Sequence, residues 1–390
     1  MRILFSRVGQ SIKLPALSFF LAFTISGLLI ALSDTKVLEK IGSPIEFWKR
    51  ALSSVGNAYL SLFQGAIYDT KLASGKNFFQ GFYPLSETIV ISTPLILTGL
   101  SVALAFRSGL FNIGAQGQFI FGAIGASYVG FNFQLPVLVH ILLACIAGIA
   151  LAAIWGAIVG ILKARTGAHE VILTIMMNYI AAYFILWLLK TKPFLRPGRF
   201  DPIAPEVLES ARLPLLAGES LRINAGILVA LAASFFVWWL LAKTTIGYKF
   251  RAVGANHKAA RTAGISVPFV LTGTMAICGG LAGLGGAVHV LGSEYVLTAD
   301  IAGSFGFDAI TVALLGRAQP VGTVFAALLF GALWAGGRTM QSNTGTPLDI
   351  VLVTQALIVL FIASPIFVRY VFRLKKMKNT DSLTSKGWNG

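Results

Sequence analysis

Apolar runs alternate with polar breaks along almost the whole chain. The runs at 14–32, 87–106, 136–162, 171–189, 223–242, 267–291, 321–336 and 350–371 each predict a membrane-crossing helix. About 20 apolar residues in helical geometry cover the ~30 Å hydrocarbon layer. Two further segments bring the expected number of spans to about ten. Residues 109–130, GLFNIGAQGQFIFGAIGASYVG, place Asn112, Gln116 and Gln118 among glycines. That mixture is too polar for a lipid-facing helix, so it predicts a segment packed inside the bundle, broken or re-entrant. Residues 304–316 are short and hold Asp308. Pro94, inside the second run, predicts a kink or break.

The breaks have their own patterns. Residues 33–85 are polar to amphipathic, and Ala51–Ile67 has helical spacing suited to a membrane surface. Residues 190–222 form a polar loop with five prolines. Residues 243–266 are basic. There, Asn256 can cap a short helix, His257–Ala263 can form about two turns, and Gly264 can end it. Ala259, Ala260 and Ala263 give it a small-residue patch, with 259 and 263 on one face. Two readings stand: a positive loop that only sets topology, or a helix that docks onto another protein. The chain is expected to form a single all-α transmembrane domain over 1–372, with 33–85 extracytoplasmic, core spans over 86–372 and a basic tail over 373–390.

Composition narrows the class. The 390 residues are 56% hydrophobic and 12% charged, against about 25% charged in a soluble domain. Arg2, Arg7 and Lys13 precede a first run too long for a signal peptide's core, so an uncleaved first span is expected. With both termini cytoplasmic, 18 of the 31 Lys and Arg fall inside, against Glu170 and Asp381 as the inside acids. The net charge of +16 then describes one face of a membrane protein and not a nucleic-acid surface. Cys145 and Cys278 lie within apolar runs and read as packing residues. No GxxxxGK[ST], HExxH or GxSxG pattern occurs, and the four histidines are scattered. Catalysis, a cofactor and a metal site are therefore not expected.

Ionisable and amide groups inside the membrane are the remaining candidates for chemistry. Asp308 could couple transport to an ion, or could simply stabilise the start of its short helix. Asn112, Gln116 and Gln118 could glue helices or line a path for a neutral, hydrogen-bonding solute. Phe111 and Phe119 could stack on a base or a sugar face.

Four segments carry a family resemblance. GLSVALAFRSGLFNIGAQGQFIFGA (99–123) resembles permease subunits of the branched-chain amino acid, ribose and nucleoside group of ABC importers. ILTIMMNYIA (172–181) resembles the nucleoside and simple-sugar branch of that group. RAVGANHKAARTAGI (251–265) is similar to the group's cytoplasmic coupling loop, and FDAITVALLGRAQPVGT (307–323) to a later segment. Gly316-Arg317 stands where ribose-type members carry Gly-Gly, which favours the nucleoside-like branch. The resemblance implies a bundle of about ten helices in the type II importer style, in the inner membrane. It implies a second permease, identical or homologous, cytoplasmic ATP-binding subunits and an extracytoplasmic solute-binding protein. The expected solute is a nucleoside, with simple sugars next. Coupling to the ATPase is expected through Gly254, Asn256, Ala259, Ala260, Arg261, Ala263 and Gly264. The translocation path is expected along Phe111, Asn112, Gln116, Gln118 and Asp308.

Overall fold

The structure is a computed structural model that describes residues 2–73, 78–218 and 220–373, with side chains from Lys13 onward. The charges of Arg2 and Arg7 and the tail beyond Arg373 lie outside the described residues. In chain order the helices begin with α1 (Arg2–Ser33), α2 (Thr35–Leu38), α3 (Pro44–Ala66), α4 (Tyr83–Arg107), α5 (Ala115–Asn132), α6 (Val137–Thr166) and α7 (Glu170–Leu188). A short strand, β1 (Ile203–Glu206), precedes α8 (Gly226–Lys243), α9 (Thr245–Ala255), α10 (His257–Thr262) and α11 (Val267–His289). After β2 (Val296–Thr298) come α12 (Phe305–Leu315), α13 (Pro320–Thr344), α14 (Asp349–Ala363) and α15 (Pro365–Val371).

Among the described residues, seven helices are long and apolar enough to cross a membrane: Lys13–Ser33, Phe78–Arg107, Val137–Thr166, Glu170–Leu188, Gly226–Lys243, Val267–Glu294 and Pro320–Thr344. The pair α14–α15, bent by 93°, adds an eighth if it is one span. The other two expected spans, α12 and α5, are not among these helices, and α5 packs inside the bundle as its sequence predicts. The 11 residues of α12 extend about 16 Å, half the hydrocarbon thickness. In α5, 14 of 18 residues are buried, so protein and not lipid surrounds it. Of the kink or break expected at Pro94, no break occurs, and α4 runs through it as one helix. Leu95, Ile96 and Leu97 are wholly buried there, and the Thr98 hydroxyl donates to the Pro94 carbonyl at 2.8 Å. Neighbouring helices and hydroxyls commonly support a proline inside a membrane helix in this way.

The contacts divide into two compact units. One joins the residues up to Thr88 to those from Leu329 onward. In it, α1 packs along α14 and α3, and the Thr354 hydroxyl donates to Ser26 at 2.8 Å. The helix expected over Ala51–Ile67 is part of α3. It turns Ala51, Ala58, Ser61 and Gly65 inward and Trp48, Leu52, Leu60 and Phe63 outward.

The other unit, Ile89–Leu328, is built on α5, α6 and α11. Glycines let these three backbones nearly touch. A Cβ on Gly286 would lie 2.1 Å from the Phe119 carbonyl oxygen, and one on Gly279 would lie 2.3 Å from that of Ala152. Such spacing replaces side-chain interdigitation with backbone contact, the usual way membrane helices pack tightly. The proline-rich loop is tied down rather than loose. β1 pairs antiparallel with β2, Leu213 N–H donates to Leu291 O at 2.9 Å, and Arg212 lies 4.8 Å over the Tyr295 ring.

Candidate functional site

The polar segment begins in a turn. Gly109 takes φ +70°, a conformation other residues adopt at a cost, and the chain reaches α5 only at Ala115. In between sits Asn112, wholly buried. Its Nδ2 donates to Gln118 Oε1 at 2.9 Å and to Ser101 Oγ at 3.2 Å, and its Oδ1 accepts from Gly114 N–H at 3.1 Å. Gln118 is 1% exposed and returns a bond to Asn112 Oδ1 at 3.3 Å. The first N–H groups of a helix lack intrahelical partners. Here Asn178 of α7 accepts from Gly117 N–H at 2.9 Å and donates to Ile113 O at 2.9 Å.

This geometry sets two of the expected path residues against each other. Asn112 and Gln118 bond each other inside the protein and have no face to offer a solute in this conformation. They hold α4, the turn and α5 together. The Asn112→Leu variant strands the Gln118 amide and the Gly114 N–H, at about 1–3 kcal/mol for each orphaned group. The expected result is a lower thermal midpoint of the purified protein. Adding Gln118→Leu should recover part of the loss, since removing both partners leaves fewer orphans.

Gln116 has a different task. It is half-buried and donates from Nε2 to Gly303 O at 2.6 Å while accepting from Gly306 N–H at 2.8 Å. It thereby clamps the start of α12 to the start of α5. Asp308 lies in the first turn of α12, where a carboxylate is favoured by the helix dipole, and accepts from Ser304 Oγ at 2.7 Å. Phe111 is half-buried, with its ring 5.1 Å from that of Phe106.

The basic segment folds as two helices, not the one expected. The additional helix, α9, is N-capped by Thr244, whose side chain accepts from Gly247 N–H at 3.0 Å. Asn256 caps α10, accepting from the N–H groups of Lys258 at 2.9 Å and Ala259 at 3.1 Å. Gly264 follows at φ +78°. Ala259, Arg261 and Ala263 are exposed, but Ala260 is 3% exposed and packs into the protein. Ala260, unlike Ala259 and Ala263, therefore spends its methyl on packing within the chain.

Gly254 supplies a connection that the sequence does not advertise. A Cβ there would lie 2.7 Å from Arg107 O and 2.8 Å from Gly109 N. The end of α9 thus lies directly against the turn that leads into the amide cluster. Arg107 Nε donates to Ala318 O at 2.9 Å and joins the α12–α13 turn to the same place. Sequence reasoning also missed Asn178 and Ser101. Asn178 is the one amide in its apolar run, and that is the available signal.

Residues 85–363 match the family model described as branched-chain amino acid transport system / permease component. A guanosine ABC transporter permease of Bacillus subtilis (strain 168) is 41% identical over 332 residues, 84% of this chain and 91% of that protein. A glucose ABC transporter permease of Haloferax volcanii is 36% identical, covering 74% of this chain and 78% of that protein. A nucleoside ABC transporter permease of Lactococcus lactis subsp. cremoris is also 36% identical, covering 78% and 85%. The match spans the amide cluster, the α9–α10 pair and α12, and the chain belongs to the family of branched-chain amino acid transport system permease components, which are multi-pass membrane transport subunits and not enzymes.

Proposed function

We propose that this chain is the permease subunit of an ATP-driven ABC importer that carries nucleosides across the inner membrane. It works beside a second permease, identical or homologous, with ATP-binding subunits docked on its cytoplasmic face and a solute-binding protein delivering from outside. The observation that carries the coupling role is the α9–α10 pair, with exposed Ala259, Arg261 and Ala263 on one side and Gly254 against the Arg107–Gly109 turn on the other. Closure of the ATPases pushes α10. The push passes through Gly254 to the turn, and from there to α5 and, through Arg107, to the α12–α13 turn. ATP thus biases two arrangements of the bundle, as differential binding requires. The nucleoside assignment draws on the guanosine and nucleoside relatives.

Gly254→Ala tests that route. The added methyl meets backbone that cannot rotate away, and overpacking of this kind costs about 1–3 kcal/mol. ATP hydrolysis by the complex is expected to persist while solute moved per ATP falls several-fold. An unchanged ratio would refute the transmission path.

The whole reading is tested by reconstituting the permeases with ATPase and binding protein and measuring ATP-driven uptake of labelled guanosine. Unlabelled nucleosides should compete and glucose should not. The reverse pattern favours a simple-sugar permease, the second reading, which the Haloferax relative supports. Ion-coupled transport through Asp308 finds less support. That carboxylate already accepts from Ser304 at a helix start. Uptake driven by an ion gradient without ATPase would restore it.

A further inference from the structure

Asn112 and Gln118 are turned inward, so the solute needs another wall. We infer that the exposed face of α7 carrying Met176, Tyr179, Tyr183 and Trp187 lines the solute passage, with the two tyrosines as its hydrogen-bonding and stacking elements. This rests on the importer reading above, because the opposite wall is the second permease.

The face is unlike a lipid-facing one. On α6 the exposed side chains include Leu142, Ile146, Ile154 and Ile158, a uniformly aliphatic surface suited to acyl chains. On α7 the exposed stripe holds Met176, Tyr179, Tyr183 and Trp187, with Tyr179 60% and Tyr183 71% exposed. Tyrosine at a membrane surface belongs at the interfacial belts, where its hydroxyl reaches water. Tyr179 is nine residues from either end of α7 (Glu170–Leu188), about 13 Å along the axis at each side. It stands at the middle of the span. Neither hydroxyl has a hydrogen-bond partner among the described residues. A phenol facing hydrocarbon at that depth would leave a donor unmet, a cost that membrane proteins avoid. Water and a polar solute remove it.

The shape agrees with the chemistry. Met176, Tyr179, Ile180, Tyr183, Phe184 and Trp187, all on α7, line a shallow, almost wholly apolar groove that is open on the side away from the helix. Behind it the aromatic rings are fixed. Phe184 stacks on Phe121 at 5.3 Å, and Phe121 stacks on Trp155 at 3.8 Å. An aromatic, almost wholly apolar floor suits the face of a flat heteroaromatic ring such as a nucleoside's base, with the tyrosine hydroxyls outside the groove itself. Stacking accepts any base, which matches a permease whose partner protein selects the solute.

The test uses cysteine accessibility in the assembled transporter, in a Cys145→Ala background, with Cys278 left in place because it is fully buried. Tyr179→Cys and Tyr183→Cys should react with a membrane-impermeant methanethiosulfonate at least tenfold faster than Ile146→Cys on α6. Guanosine delivered by the binding protein should slow that reaction. Rates no faster than at Ile146→Cys, or rates indifferent to guanosine and glucose alike, overturn the assignment. Slowing by glucose but not guanosine keeps the passage and removes the nucleoside. As a second measure, Tyr183→Leu should lower uptake tenfold or more, while Tyr183→Phe, which keeps the ring and loses only the hydroxyl, should lower it about two- to threefold. Full uptake by Tyr183→Leu also overturns the assignment.

Discussion

Gly122→Ala is expected to destabilise the folded permease severely. A Cβ at Gly122 would lie 2.1 Å from the Gly283 carbonyl oxygen and 2.2 Å from its Cα. These are backbone atoms of α11, and no rotamer change moves them. Gly283 cannot retreat, because its own Cβ position lies 2.2 Å from the Ala152 methyl and 2.9 Å from Gly148 O on α6. A Cβ on Gly148 would in turn lie 2.8 Å from Gly122 O. Three helices meet at three glycines, so one methyl must spread all of them. Overpacking in a well-packed core typically costs 1–3 kcal/mol, and here it should reach about 3 kcal/mol or more because the close-packed core transmits the strain. Gly273→Ala on the same α11 is the control. Nothing lies within 4 Å of that Cβ, and its effect should stay within about 0.5 kcal/mol. Detergent extraction followed by size-exclusion chromatography and a thermal ramp reads both. Wild-type yield and midpoint for Gly122→Ala would sink the argument for backbone contact.

The same glycines mark what the sequence could and could not convey. The GGLAGLGG run over 279–286 announces close packing, because few other reasons crowd glycine into an apolar helix. It does not announce the partner. Gly122 is 161 positions before Gly283, and only the fold brings them together. The amides behave likewise. Asn112, Gln116 and Gln118 are conspicuous in an apolar run, but whether a buried amide meets a solute or another amide depends on groups elsewhere in the chain. Asn178 satisfies Gly117 from 61 positions away. Helix α9 was hidden for a different reason. Gly247, Phe250 and Val253 recur at helical spacing and are buried, but Lys249 and Arg251 between them give the segment the look of a positively charged loop. The cap at Asn256 was legible because capping is local chemistry, contained within three residues. The burial of Ala260 was not, since an alanine fits either face of a helix.

Ala259→Asp combined with Ala263→Asp is expected to eliminate ATP-driven uptake while leaving the permease folded. Both methyls are exposed, so their replacement removes little packing within the chain. An aspartate at 259 stands in the first turn of α10, where the helix dipole favours it, and one at 263 stands at the opposite end, where it costs about 0.3–1 kcal/mol. Stability should therefore change little. Docking should change greatly. If the ATPase seats on this small-residue face, two carboxylates enter the interface without partners, and an uncompensated buried charge costs about 3–5 kcal/mol. Each 1.4 kcal/mol is tenfold in affinity, so association should fall at least a hundredfold. The measurement is copurification of the ATPase with the variant, alongside uptake in proteoliposomes. Lys258→Gln with Arg261→Gln separates this from a purely electrostatic loop, because it removes charge but keeps the alanine face. That pair should lower association by no more than about tenfold, as for rim charges of modest worth. Undiminished uptake by the double aspartate variant would return the segment to a topology signal. Loss in both variants alike would move the contact from the alanines to the basic side chains around them.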